Sequence, residues 1–400
     1  MMGTSKTRKK VLENFLESLP EPPKEHAHEL EMETRLRRLI AEEDLSKDEL
    51  KYYSRQIVLD DIGLLGQRQL KASRVCIVGL GGLGSTTATQ LAAMGIGHLR
   101  LVDRDIVEES NLQRQHLYSF NQIGVPKVEA ASRRLKGLNP YISLEPRPIA
   151  VSEDNAEQLI EGVDVVVDGL DNMDTRYALN RACVKSKIPY VFGSAVSTYG
   201  NASTIIPRET PCLECFYGKL DDEKLPSCAT IGVHPSILGI ISSIEAAETV
   251  RILLGTKPNL SSLLLYCDVN RMQFEEIHLA RVESCPICGS KPTGKSKKLE
   301  RSLVKESCGR ENRRVFIVTP KENLDLQIEK LVNLLPKKDA RIKVKAQLGI
   351  CFTWKQDARL SVLRSGVMIA EGLRSEQEVI QAYKTIVSGP MDIPWIRIEP

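Results

Sequence analysis

The sequence predicts an α/β protein built on a doubly wound, mostly parallel sheet, followed by a small α+β domain. Three observations carry that expectation. From Ser73 onward, short apolar runs of strand type alternate with helical segments. A glycine turn joins the first of these strands directly to the first helix. After Cys288, a Gly/Pro/Ser/Lys stretch, GSKPTGKSKK, separates a second and shorter set of elements.

Taken in order, RVCIVGL reads as a buried strand, STTATQLAAMG as a helix and HLRLVD as the next strand. VDVVVDGL is a continuous apolar run, as expected of a parallel strand covered on both faces. DTRYALNRACVKSK then gives a helix and PYVFGSAV a strand. SILGIISSIEAAETVRILLG reads as a largely buried helix, with LLLYCDVN and QFEEIHLA as a hairpin after it. Upstream, Val11, Leu12, Phe15 and Leu16 share one helical face within 5–19, and Leu30, Leu36, Leu39 and Ile40 do so within 29–43. The expected organisation is a helical extension over 1–46, the main α/β domain over 47–290, a basic linker over 291–311 and the small domain over 312–400. In the last, RRVFIVTP is a strand, LDLQIEKLVNLLP a helix, Ile342 to Ala370 three or four strands, and SEQEVIQAYKTIVSG the closing helix.

Charge narrows the function. The chain has 55 Lys and Arg against 52 Asp and Glu, a net +3, which argues against a dedicated nucleic-acid binder. From Lys291 to Arg314 there are nine basic residues against three glutamates, so the remainder is slightly acidic. No run of eighteen apolar residues occurs, and the first residues lack an apolar signal core, so no membrane contact is expected and the cytoplasm is the expected compartment. Four of the ten cysteines form two CxxC pairs, a metal-site pattern and not a disulfide framework.

The chemistry-bearing motifs begin with GLGGLGS, Gly79 to Ser85, in the strand–turn–helix setting of a Rossmann-like nucleotide cradle. Asp103 ends the following strand 19 residues after Gly84, the spacing of a carboxylate that accepts ribose hydroxyls. Downstream, Asp105, Asn111, Arg114, Gln115 and Lys127 supply more phosphate-directed groups than hydride transfer needs. Cleavage of ATP between its α- and β-phosphates needs them, because charge grows on the leaving pyrophosphate. No GxxxxGK[ST] occurs, so the cradle is not a P-loop. DGLDN, Asp168 to Asn172, follows the apolar strand VDVVV, where a carboxylate can hold Mg²⁺; Asp171 is the better candidate, and Asp168 reads equally well as a cap. Cys212, Cys215, Cys285 and Cys288 fit one closed structural Zn²⁺ site. Cys228 sits in the polar loop KLDDEKLPSCATIGVHPS, where a thiol can be reached by a partner.

From Tyr53 to Gly289 these pieces, YSRQIVL, VCIVGLGGLGS, VDRDIVEESNLQRQ, GVPKVEAA, DGLDN, CLEC, CATIGV and CPIC, together resemble the MoeB/ThiF group of ubiquitin-activating-enzyme-like adenylyltransferases, with molybdopterin-synthase adenylyltransferase the nearest type. The resemblance implies that Gly82, Asp103, Ser110, Asn111, Arg114, Lys127, Asp171 and Asn172 bind ATP, with Mg²⁺ at Asp171. It implies that Arg55 acts on the phosphates of a neighbouring subunit, which requires a homodimer. It assigns Zn²⁺ to the four paired cysteines and gives Cys228 a thioester or persulfide role. Catalysis would rest on Arg55, Arg114, Lys127, Asp171 and Cys228, and the substrate would be a ubiquitin-like or sulfur-carrier protein ending in Gly-Gly. The residues before 46 and after 312 have no counterpart in the minimal form of that group. The C-terminal unit does not read as a sulfur-transfer domain, since Cys351 lies in strand-like GICFTW; docking of the carrier or a downstream partner is the expectation there. Two other classes stay open on the residues alone: an NAD(P)-dependent oxidoreductase on the same sheet, marked by bound dinucleotide, and a non-catalytic zinc-stapled scaffold, marked by failure to bind nucleotide.

Overall fold

The computed structural model describes residues 45–222, 231–292, 302–307, 314–335, 339–355 and 358–399. The chain divides into two units, Met1–Leu45 and Ser46–Pro400. The helices expected over 5–19 and 29–43 lie outside the described residues.

Ser46 opens the second unit. Its hydroxyl accepts from the Glu49 amide while the Glu49 carboxylate accepts from the Ser46 amide, a reciprocal cap that starts the helix Lys47–Tyr52. Short helices Ser54–Ile57 and Gly63–Ala72 lead into the sheet. The main strands are β1 Arg74–Val78, β2 His98–Val102, β3 Ser143–Arg147, β4 Val165–Asp168, β5 Tyr190–Val196, β6 Tyr199–Ile205, β7 Leu263–Asp268 and β8 Gln273–His278. They form one sheet in the order β3-β2-β1-β4-β5-β6-β7-β8. The first five in that order are parallel, and β6 to β8 are added antiparallel. Among its helices are α1 Gly82–Met94, α2 Lys127–Leu138, α3 Met173–Ser186 and α4 Pro235–Leu253.

Burial follows from this order. Val75, Cys76, Ile77 and Val78 of the central β1 are all essentially inaccessible, which is why that strand is apolar throughout and not alternating. Strand order reverses between β1 and β4, leaving a crevice at their carboxyl ends, the place where open α/β sheets bind ligands. The β7–β8 hairpin stands where the sequence placed it. β6 was not anticipated, because Asn201, Ser203 and Thr204 break the apolar pattern; Ser203 and Thr204 are buried and donate instead to Leu263 O and to Glu248.

The second sheet comprises β9 Val304–Ser307, β10 Val315–Val318, β11 Ala340–Lys345, β12 Gly349–Trp354, β13 Ala358–Leu363 and β14 Met368–Glu371. Its order is β11-β12-β13-β14-β10-β9, and every pairing is antiparallel. Helices α5 Ile328–Leu334 and α6 Glu376–Tyr383 bury Leu331, Val379 and Tyr383 with Phe316, Phe352 and Leu360 in one core. The stretch read as a linker over 291–311 therefore needs correction: β9 lies inside it and pairs with β10. VKES reads as linker because an edge strand carries charge outward, and only Val304 of its first residues faces the core. Among the described residues, no helix is long and apolar enough to cross a membrane.

A buried carboxyl makes the fold pH-dependent. Glu245 of α4 is fully buried, and Thr87 of α1 donates to its Oε2 at 2.8 Å while Oε1 has no partner among the described residues. Gly193 on β5 leaves the room for this carboxyl; any Cβ there would overlap Oε1. Burial pushes the Glu245 pKa well above its usual 4.5, so the folded protein holds it neutral. The unfolded chain releases that proton above about pH 4.5, so the stability contributed by Glu245 is complete below that value and is lost as pH rises toward the folded pKa. The slope is about 1.4 kcal/mol per pH unit for one proton. Glu245→Gln keeps the Thr87 contact and removes the titration. Its melting temperature should exceed that of the wild type at about pH 8 and fall less between about pH 5 and pH 8, as read by calorimetry.

Candidate functional site

The loops that follow β1 and β4 meet at the switch point, backbone against backbone. Gly79 takes a left-handed φ of +88°, and a Cβ on either Gly84 or Gly169 would overlap the Gly79 carbonyl. Only glycine allows this approach, which brings the start of α1 and the DGLDN segment to one place. Gly81, the residue capping α1, offers no side chain to the first-turn amides, and Gly82 is the first helical residue. Those amides and the positive end of the helix are left for an anion.

Asp103 directly follows β2. Its Oδ2 accepts from the Leu80 amide and its Oδ1 from the Asp105 amide, both at 2.7 Å, so its orientation is fixed and each oxygen keeps a free lone pair for a hydroxyl. Burial raises its pKa, with Lys127 opposing and Asp105 adding to the rise. Lys127 is the first residue of α2, 5% exposed, with Nζ 3.3 Å from Asp105 Oδ2 and its amide bonded to Asp105 O at 2.9 Å. Burial alone would lower the lysine pKa; Asp105, Asp103 and Glu108 outweigh it and raise it. Asp105 moves the other way: burial opposes ionisation, but Lys127 and Arg104 hold its pKa below the usual carboxylate value. The lysine is thus kept charged in a nearly dry position, and an ammonium has three donors, of which Asp105 uses one.

The segment after Asp105 closes the same side. Glu108 and Asn111 cap a single 3₁₀ turn reciprocally, and Asn111 is 7% exposed. Ser110 lies between them, its hydroxyl 3.3 Å from Glu108 Oε2 and its carbonyl accepting from Arg114 at 2.9 Å. Gln115 is 3% exposed and its Oε1 has no partner among the described residues, while its Nε2 lies 3.9 Å from where a Gly81 Cβ would be. Tyr118 donates to Leu80 O at 2.9 Å and ties this segment to the glycine loop.

At the end of β4 the two aspartates have different fates. Asp168 is wholly buried, ion-paired to Arg176 at 3.0 Å, and accepts from Tyr190 OH and from the Leu170 amide. Arg176 also donates to Leu170 O and Gly193 O, so this network is a brace that shapes the loop. Asp171 is exposed, and Asn172 caps α3 through its Oδ1 to the Thr175 amide at 3.0 Å. The capping role that the sequence left open for Asp168 falls to Asn172. Arg176 and Tyr190 were missed, since nothing local marks partners that meet only through the fold. Arg55 is exposed on the helix Ser54–Ile57, and Cys228 lies outside the described residues. Of the expected nucleotide residues, Gly82, Asp103, Ser110, Asn111, Arg114, Lys127, Asp171 and Asn172 stand on the loops at the carboxyl ends of β1, β2 and β4 or at the helix starts beyond them. His98 bonds Glu145 at 3.0 Å and the His234 side chain caps α4, both structural roles.

The four paired cysteines converge, with all Sγ atoms within 4.8 Å of one another and three of the four residues buried. Cys212 and Cys285 sulfurs are 3.7 Å apart and those of Cys215 and Cys288 are 3.3 Å apart, too far for disulfides. A tetrahedral zinc with Zn–S of about 2.3 Å places its sulfurs about 3.8 Å apart, so the set fits that ion. Arg281 donates to Cys288 O and to Arg208 O, bracing the second knuckle. Four thiolates leave no open position, so such a metal would staple and not catalyse. Metal analysis of the purified protein should find about one zinc per chain, and Cys215→Ala should lose it together with a drop in melting temperature.

Similarity to known proteins covers the same part of the chain. The ThiF family profile matches residues 53–287. The chain is 40% identical over 246 residues to the SAMP-activating enzyme E1 of Haloferax volcanii, covering 61% of this chain and 91% of that protein. It is 38% identical over 255 residues to the sulfur carrier protein adenylyltransferase of Thermus thermophilus, covering 62% and 94%. Against the adenylyltransferase and sulfurtransferase MOCS3 of Aedes aegypti it is 39% identical over 251 residues, 62% of this chain but only 57% of that one. Among solved structures, the crystal structure of E. coli MccB with MccA-N7isoASN shares the fold with a TM-score of 0.54 at 21% identity, covering 69% of this chain and 84% of that one. Because the family match takes in more than half of the 400 residues, the glycine loop and the carboxylates around Lys127 among them, the chain belongs to the ThiF family.

Proposed function

We propose that the chain uses ATP to adenylate the C-terminal carboxylate of a ubiquitin-like or sulfur-carrier protein ending in Gly-Gly, working as a homodimer. The observation that carries this is the buried, charged Lys127 at a helix start beside the glycine loop and Asp103. Relatives at 38–40% identity named for sulfur-carrier adenylylation and SAMP activation support the same reading.

The chemistry asks little of acids and bases. A chain-terminal carboxylate with a pKa of roughly 3.5 is already ionised at neutral pH, so no general base is needed. One carboxylate oxygen forms a bond to the α-phosphorus while the bond to the bridging oxygen breaks, and that oxygen leaves with pyrophosphate. Two anions must be held together as this happens. The α1 amides and Lys127 receive the phosphates, Arg114 and Asn111 flank them, and Asp103 receives the ribose hydroxyls. Asp171, exposed beside the crevice, is the residue that would hold Mg²⁺, which neutralises phosphate charge when bound. The dimer is supported by an exposed Arg55 followed in the chain by Val58, Leu59 and Leu65, which are 74%, 53% and 75% exposed in the single chain.

Carrier-dependent ATP–pyrophosphate exchange tests this directly. Lys127→Ala, Arg114→Ala and Asp171→Asn should each lower the exchange rate by about a hundredfold or more with the fold intact. Arg55→Ala should be inactive alone yet regain activity when mixed and re-equilibrated with Lys127→Ala, because a mixed dimer holds one site lacking both groups and one intact site. Exchange without any carrier, or no recovery on mixing, would contradict the substrate and the shared site respectively. Non-reducing mass spectrometry of the same incubation identifies the step after adenylation. A carrier adduct absent from Cys228→Ser marks transfer to that thiol, and free acyl-adenylate alone marks simple activation.

A further inference from the structure

We infer that Glu129 is a positioning residue through which the C-terminal sheet holds the start of α2, and with it Lys127, against the nucleotide cradle; this rests on the phosphate role proposed for Lys127. Glu129 is the third residue of α2 and only 4% exposed. A glutamate at that position ordinarily turns back to the amide of its own cap residue. Here the cap is Pro126, which has no amide hydrogen to offer. The carboxylate reaches out of the helix instead. Its Oε1 accepts from the Gln347 amide at 3.0 Å and its Oε2 from the Leu348 amide at 2.7 Å, both in the turn between β11 and β12.

That turn closes on the residues leading into Lys127. Gly349 is so near Pro126 that a Cβ on it would meet the proline Cγ at 2.8 Å. Val344 covers Gly124, where a Cβ would lie 3.0 Å from its Cγ2. Ala346 shares a core cluster with Val125 and Val128, and Leu348 packs at the edge of that cluster. The Lys127 amide and Nζ are in turn both bonded to Asp105. The start of α2 is therefore fixed between two clamps, the Asp105 loop and the β11–β12 turn. Two charge-assisted bonds from backbone amides to a buried carboxylate make the second clamp strong, and removing the carboxylate takes their acceptor from both amides. The β11–β12 turn lies beyond the family match at 53–287, so the second clamp is supplied by the additional domain.

The test is a double-mutant cycle on the full-length chain, read as the dissociation constant for ATP with the KM for the carrier measured alongside. Glu129→Gln should weaken ATP about fivefold and leave the carrier KM unchanged. In a Lys127→Ala background, Glu129→Gln should add no further loss, because its effect passes through that lysine. Arg133→Ala, which removes only the exposed partner of Glu129 on α2, should leave ATP affinity unchanged. If Glu129→Gln fails to fold, Gly349→Ala pushes the same turn from Pro126 and should weaken ATP similarly. Unchanged ATP affinity in Glu129→Gln, additive losses in the double variant, or a loss in Arg133→Ala as large as in Glu129→Gln would each overturn the inference. Unchanged affinity in Lys127→Ala alone would instead remove the phosphate role on which it rests, and that result is read without Glu129.

Discussion

A lysine at the first position of a helix opposes the helix dipole, and burial there adds a desolvation cost. Lys127 stands in such a place, and the site is arranged around keeping it charged. Asp105 meets its ammonium and its amide, Asp103 and Glu108 add negative charge nearby, and a turn from another domain grips Glu129 two residues on. Local rules broken at such expense of neighbouring groups are the mark of a functional position, since a neutral residue would have folded there with less support.

The glycine contact and the lysine clamp solve one problem together. Gly79, Gly84 and Gly169 bring the loops after β1 and β4 into backbone contact, so the α1 amides face the crevice with nothing capping them. A site made only of helix amides would accept many anions. Asp103, anchored by two amides, and the Gln115 oxygen, without a partner among the described residues, would add hydrogen-bond selectivity under the proposed nucleotide reading. Rigidity comes from a separate layer, in which Arg176, Tyr190 and Asp168 pin the β4 end without entering the crevice.

Features set by local pattern could be read from the sequence. The glycine turn between an apolar strand and a helix, the carboxylate at the next strand end, and the two CxxC pairs all depend on short spacings, and each stands where expected. The features that escaped notice depend on partners far along the chain. β6 looked too polar for a strand until Glu248 and Leu263 O supplied its buried hydroxyls with acceptors. β9 looked like a linker because an edge strand needs charge more than apolarity. Nothing local singles out Glu129, whose amide partners lie more than two hundred positions away. Cys228 and the first helices lie outside the described residues, so their expected roles rest on the sequence alone.

The proposed function depends on where the Lys127 ammonium goes when nucleotide arrives. A crystal structure of the protein with a magnesium complex of a non-hydrolysable ATP analogue would show it directly. The predicted result is Lys127 Nζ about 3 Å from a phosphate oxygen with the Asp105 contact retained. Phosphates seated away from the start of α2, with Lys127 still bound to Asp105 alone, would contradict it.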